Sequence, residues 1–204
     1  MHKIYDIDPN DSVNTAAHNK FESDIIQIEK DIDRTLTNHE YFGKGKKGQE
    51  LLRTILKILS FKYGDVGYVQ GMNFLVATFL YHCSPEITLF LITVLMEDYE
   101  LYDIYREDVA GLHARNTRLK NLVELRLPNI SAHFSEIGIE PQMFTTEWIL
   151  DLFSHTIPLN YYGGFLDNFI FDGERDSKRY RGWDYFYQVV ITILKLLENE
   201  LMKR

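Results

Sequence analysis

Two short stretches hold the residues best suited to chemistry: Ile28-x-x-Asp31-x-x-Arg34 and Tyr68-Val69-Gln70-Gly71. An arginine can neutralise charge that spreads over phosphoryl oxygens during transfer, and a glutamine can orient an attacking water. In a helix turning about 100° per residue, Asp31 falls beside Ile28 and Arg34 one step further round. Arg34 then points away from the apolar stripe, with Asp31 three residues back as a tether. A planar guanidinium held by a carboxylate is suited to enter another protein's active site. The same spacing also suits an ordinary surface ion pair worth a few tenths of a kcal/mol, roughly. In the second stretch Asp65 is expected to cap a following helix, with Gln70 in its first turns. Gly67 and Gly71 flank Gln70 and let another backbone approach closely. A glycine inside a helix costs up to ~1 kcal/mol against alanine, so Gly71 needs a reason. Gln70 satisfied within a turn, with Gly71 allowing tight helix packing, is the structural alternative.

The elements that must position these residues read as helices throughout. Phe21, Ile25, Ile28 and Ile32 draw one apolar stripe. A second run spans about Gly48 to Tyr63 and stops at Gly64, expected to be its C-terminal cap. Met72, Leu75, Val76, Phe79 and Leu80 form the buried side of a third helix. Ser84-Pro85 opens another, with serine as cap and proline in the first turn. Leu119, Leu122 and Val123 support a helix ended by Pro128, and Gly138 and Pro141 punctuate the next segment. Trp148, Leu152 and Phe153 mark a further helix before Pro158, and a last long one runs from about Trp183 to Leu201. Alternating strand patterns and fixed-period repeats are missing. The expected fold is all-α, a single domain of many short to medium helices.

Composition narrows the function classes. A chain of 204 residues supports one sizeable core, and 45% hydrophobic residues argue against disorder. A net charge of −8 disfavours a nucleic-acid binder, which shows a basic face. Cys83, the sole cysteine, rules out an internal disulfide and a cysteine-rich zinc site, and reads as a small core residue. The seven histidines include no His-x-x-x-His pair, which argues against a metal site. His39, His133 and His155 read as structural residues. Gly43-Lys44-Gly45-Lys46-Lys47-Gly48 imitates a phosphate loop, but Gln49-Glu50 stands where Lys-Ser/Thr is needed, and no strand precedes it. The acids between Glu97 and Asp108 read as a solvated face, and Lys178-Arg179-Tyr180-Arg181 as a loop or helix lead-in. Met1–Asn10 does not read as a signal peptide and no apolar run is long enough to span a bilayer, so the cytoplasm is the expected compartment.

Together the two stretches resemble the TBC domain, the catalytic module of GTPase-activating proteins for Rab GTPases. I-x-x-D-x-x-R and Y-x-Q-G are both complete, ordered and correctly separated. Flanking residues fit as well: Thr35, His39 and Phe42 after the arginine, and Val66-Gly67 and Met72-Asn73 around the glutamine. Trp148, Leu152, Phe153, Pro158, Asp167-Asn168-Phe169 and Gly173 follow the weaker downstream pattern. The resemblance covers roughly Ile25 to Leu197. It departs at Thr37, where proline is common, and at Leu166, where tryptophan is usual. No R-x-x-W tetrad lies between Met1 and Phe21. Residues 1–204 thus read as one TBC-like domain lacking that element and the extreme C-terminal helices.

What the resemblance implies is an enzyme activator with no turnover of its own outside the complex. It would act on a Rab-family GTPase in its GTP-bound form and associate with membranes peripherally, through that partner. Arg34 would be an arginine finger, and Gln70 would place the hydrolytic water in trans. Asp31, Tyr68 and Gly71 would support them. The chain would carry no cofactor, since GTP and Mg²⁺ come with the partner. The rival reading is a module that binds a GTPase, or serves as a scaffold, without accelerating hydrolysis.

Overall fold

The computed structural model describes residues 12–171 and 182–203, with side chains from residue 16 onward. The expected fold class holds: the described residues form helices and turns, with no strand among them. The helix α1 (Ser12–Ile32) packs antiparallel on α2 (Lys47–Lys62). Their direction follows from the pairs across the seam, Ser60 with Asp24 and Arg53 and Lys57 with Glu29. On α1 the stripe deepens toward its C-terminal end. Ile28 and Ile32 are fully buried, whereas Phe21 and Ile25 are only half-buried.

The helix α3 (Met72–His82) is the centre of the fold, touching α1, α2, α4 (Pro85–Asp98), α8 (Gln142–Asp151) and α9 (Leu159–Phe171). Its sequence is apolar almost all round, and Met72 through Leu80 are buried except Phe74, as a helix enclosed on every side requires. Ser84 caps α4, its Oγ accepting from the Ile87 N–H at 3.4 Å, with Pro85 in the first turn as expected. The short α5 (Leu101–Tyr105) leads into α6 (Ala110–Arg126), and α7 (Pro128–Glu136) follows the break at Pro128. The same core continues between α9 and α10 (Trp183–Leu196), where Phe153, Phe169, Trp183 and Phe186 stack edge to face or tilted. The Trp183 indole donates to the Tyr99 carbonyl at 2.8 Å, and the Arg115 guanidinium lies over its ring.

Four expectations need correction. Gly64 is not the left-handed residue after α2; the chain turns through Tyr63, whose carbonyl accepts from Val66 and Gly67, and Gly67 takes the positive φ of 72°. Leu152 and Phe153 are not helical, since α8 ends at Asp151 and both adopt left-handed backbone at φ 50° and 64°. The last helix breaks at Leu197, leaving α11 (Glu198–Leu201) as a separate turn. Cys83 ends α3 half-buried rather than in the core, with desolvation pushing its thiol up. Among the described residues no helix is long and apolar enough to cross a membrane.

Candidate functional site

At the C-terminal end of α1 the structure joins the two motif stretches. Asp31 is 1% exposed, far from the surface acid that its spacing alone allowed. Its carboxylate accepts from Gln27 Nε2 at 3.1 Å, Arg34 Nε at 3.0 Å and the Tyr68 hydroxyl at 2.7 Å. Arg34 Nη2 lies 2.8 Å from the same carboxylate. A buried anion is tolerated only when its lone pairs are engaged in this way. Arg34 sits in the turn just past α1, not on the helix itself. Its side chain is 53% exposed. Nε and Nη2 face the carboxylate, and Nη1 has no protein partner among the described residues. One edge of the guanidinium is therefore fixed and the other free to meet an anion.

Tyr68 links this anchor to the second stretch. Burial, reinforced by the Asp31 carboxylate, pushes its phenol well above the usual tyrosine range, so it remains a donor. A second route closes the circuit. Thr35 Oγ1 donates to the Asp31 carbonyl at 2.6 Å and accepts from Asn73 Nδ2 at 2.7 Å. Asn73 Oδ1 in turn accepts from the Gly71 N–H at 3.1 Å. Between these fixed points Gln70 is exposed, and its side chain has no hydrogen-bond partner among the described residues.

Asp65 does not cap α3, contrary to expectation. Its carboxylate is engaged by the Tyr102 hydroxyl, a bond that holds it below the usual carboxylate range. The N-cap position of α3 is Gly71, so Gln70 precedes the helix and Gly71 is not inside it. The reason for Gly71 is its φ of 108°, which a residue with Cβ rarely adopts. Its open face rests on the end of α8, where an added Cβ would lie 3.6 Å from Asp151 Cβ. Gly67 is more constrained: an added Cβ would come within 2.4 Å of Asp24 Oδ2.

Asp24 and Asp151 escaped the sequence reading, and Thr35 and Asn73 entered it only as flanking matches with no role. Asp24 was legible in principle, lying seven residues before Asp31 on one helix face. The others depend on contacts between distant segments. Asp151 is 2% exposed and accepts from the Phe153 and His155 amides at 2.9 and 3.2 Å. Burial nevertheless pushes its carboxyl up to about 6. A raised carboxyl means the folded state holds the proton longer than the unfolded one. The contribution of Asp151 to stability is therefore expected to fall as pH rises from about 4 to about 6, and then to level off. Urea titrations of wild type and Asp151→Asn across that range check this: the stability of the wild type relative to the variant should decline, on the order of 2–3 kcal/mol.

Other candidates resolve simply. His39 accepts from the Tyr41 N–H and packs its ring on Phe42 and Tyr81. The glycine-lysine run is the lead-in to α2, with Gly48 buried under Tyr41. The acidic stretch is partly paired, Glu97 with Lys62 and Asp108 with Arg106. Glu147, Asp151 and His155 bring possible ligand atoms within 4.8 Å of one another, a grouping that histidine spacing did not suggest. Residues 178–181 and Gly173 lie outside the described residues.

Comparison with known proteins bears on this geometry. A model of the Rab-GTPase-TBC domain family matches residues 3–202. The chain is 30% identical over 176 residues to the Rab GTPase-activating protein eat-17 of Caenorhabditis elegans, covering 86% of this chain and 19% of that protein. It is 35% identical over 147 residues to Rab GTPase-activating protein tbc-11 of the same organism, covering 72% and 16%. The chain thus spans about a fifth or less of these relatives. Among solved structures, the Chlamydomonas flagellar RabGAP TBC domain superposes with a TM-score of 0.71 at 23% identity, over 92% of this chain and 61% of that one. The Ypt/Rab-GAP domain of Gyp1p gives 0.72 at 18% identity, over 93% and 69%. At such identity the structural likeness speaks for the fold, and the family match for descent. The chain belongs to the Rab-GTPase-TBC domain family.

Proposed function

We propose that this chain accelerates GTP hydrolysis by a Rab-family small GTPase in its GTP-bound form, with Arg34 and Gln70 entering the partner's nucleotide site. The observation that carries the reading is the closed circuit Asp31–Tyr68 and Asp31–Thr35–Asn73–Gly71. It fixes both stretches against each other while the Arg34 outer edge and the Gln70 amide stay exposed and without a partner among the described residues. A surface ion pair or a glutamine satisfied in a turn would have no use for such support.

In this reading Arg34 stabilises charge developing on the transferring phosphoryl group and the leaving oxygen. Its clamp on Asp31 pre-orders a long side chain, so less freedom is lost when the transition state forms. Gln70 accepts from the attacking water and donates to a phosphate oxygen with the same amide. GTP and Mg²⁺ arrive with the partner, and the chain brings no cofactor. Work at a membrane follows from the partner's location, so the chain itself associates peripherally.

GTP hydrolysis measured over a panel of Rab proteins, with and without this chain, tests the reading. At least one Rab should be stimulated under single-turnover conditions. Tight binding to a Rab with no stimulation of any would replace the reading with a binding module.

A further inference from the structure

Tyr68 is held at both ends by one helix. Its hydroxyl meets Asp31 at 2.7 Å, and its backbone N–H donates to Asp24 Oδ2 at 3.0 Å. The two carboxylates stand seven residues apart on α1, two turns along the same face, or roughly 10 Å of rise. Asp24 is 9% exposed. The only other hydrogen bond made to its side chain, among the described residues, comes from Ser60 Oγ at 2.7 Å. Arg34 lies in the turn that continues α1 and Gln70 follows Tyr68 by two residues, so the tyrosine sets the offset between the two candidate fingers. Gly67 completes the arrangement. The Asp24 carboxylate lies so close to its backbone that no side chain fits there.

We infer that Asp24 is a positioning residue for Gln70: it docks the start of the glutamine loop on the helix that carries Arg34, and so sets the height of the amide relative to the guanidinium. The inference rests on the activator reading for its consequence, but not for its geometry. A carboxylate suits the place because one charged oxygen, Oδ2, accepts from the Ser60 hydroxyl and the Tyr68 amide together. Both donors converge on Oδ2, so asparagine could hold them on its one acceptor oxygen but without the negative charge that strengthens such bonds, and alanine would leave both donors unsatisfied.

The test has a structural arm and a kinetic arm, both on the full chain. In the first, residue-resolved amide hydrogen exchange is compared for wild type, Asp24→Asn and Asp24→Ala. Exchange at Tyr68 and Gly71 should rise about tenfold or more in Asp24→Ala and less in Asp24→Asn, with the α6 and α10 amides unchanged. Equal rises everywhere would mean general loosening, and unchanged Tyr68 exchange would mean no clamp; either overturns the inference. In the second arm, a responsive Rab is assayed with Asp24→Ala, Gln70→Ala and the double variant. Asp24→Ala should slow single-turnover hydrolysis by roughly tenfold or more at saturation with little change in half-saturating concentration. The double variant should be no slower than Gln70→Ala alone, since both act through one amide. Multiplicative losses would overturn the positioning role. If the wild type stimulates no Rab, the activator reading fails by itself, and the exchange arm still decides whether Asp24 holds the loop.

Discussion

Arg34→Ala is expected to cut stimulated hydrolysis by roughly 10³-fold or more, the range over which an arginine supplied in trans acts on phosphoryl transfer. The loss should appear in the single-turnover rate at saturation rather than in binding, because the guanidinium matters most where charge develops. Removing Arg34 also takes the cation from beside a buried carboxylate, so stability must be separated from chemistry. Arg34→Lys does this. A lysine keeps a positive charge near Asp31, but a point charge cannot grip the carboxylate and bridge two phosphoryl oxygens as a planar fork does. Its thermal midpoint should therefore recover toward wild type while its rate stays close to that of the alanine variant. A near-normal rate for Arg34→Ala would remove the arginine from the mechanism.

Gln70→Ala should have the next largest effect, best seen with a partner whose own catalytic glutamine is replaced by alanine or leucine. If Gln70 supplies the water-orienting amide, that crippled GTPase should still respond to the wild-type chain. Gln70→Ala should abolish the response. Stability should change by no more than about 0.5 kcal/mol, as for other exposed positions without partners, because the side chain is exposed and makes no hydrogen bond among the described residues. Two results would reverse the assignment. No response of the crippled GTPase to wild type would return the water to the partner's own residue. Marked destabilisation by Gln70→Ala would make the glutamine structural.

Periodicity carried most of the fold. Met72, Leu75, Val76, Phe79 and Leu80 are buried on α3 as their spacing requires, and α2 begins and ends within one residue of its expected limits. The failures share a cause. Gly64, Leu152–Phe153 and the break at Leu197 all lie at helix ends, where local turn hydrogen bonds rather than periodicity set the backbone. Leu152 and Phe153 are left-handed because Asp151 takes their turn's amides and because both side chains fill the core. At the candidate site the residue types were legible and the wiring was not. Nothing local in Asp31 shows that it is buried. Nor does Asn73, a polar residue at the head of an apolar helix, show that it bridges Thr35 and Gly71. Asp65 was misassigned for the mirror reason, having the right type for a cap but being engaged by Tyr102 instead.

The pair of carboxylates gripping Tyr68 also dictates where this chain can change length. Between Asp24 and Asp31, one inserted or deleted residue would rotate one grip by about 100° around α1 and slide it by about 1.5 Å. Tyr68 could then keep one end only. The connection from Leu36 to Lys46 obeys no such rule. Its backbone is tied mainly to itself, through His39, Gly43 and the turn into α2, and it carries none of Asp24, Asp31 and Tyr68. Insertions there would leave Arg34 and the glutamine loop in register, whereas a single-residue change in the middle of α1 would not.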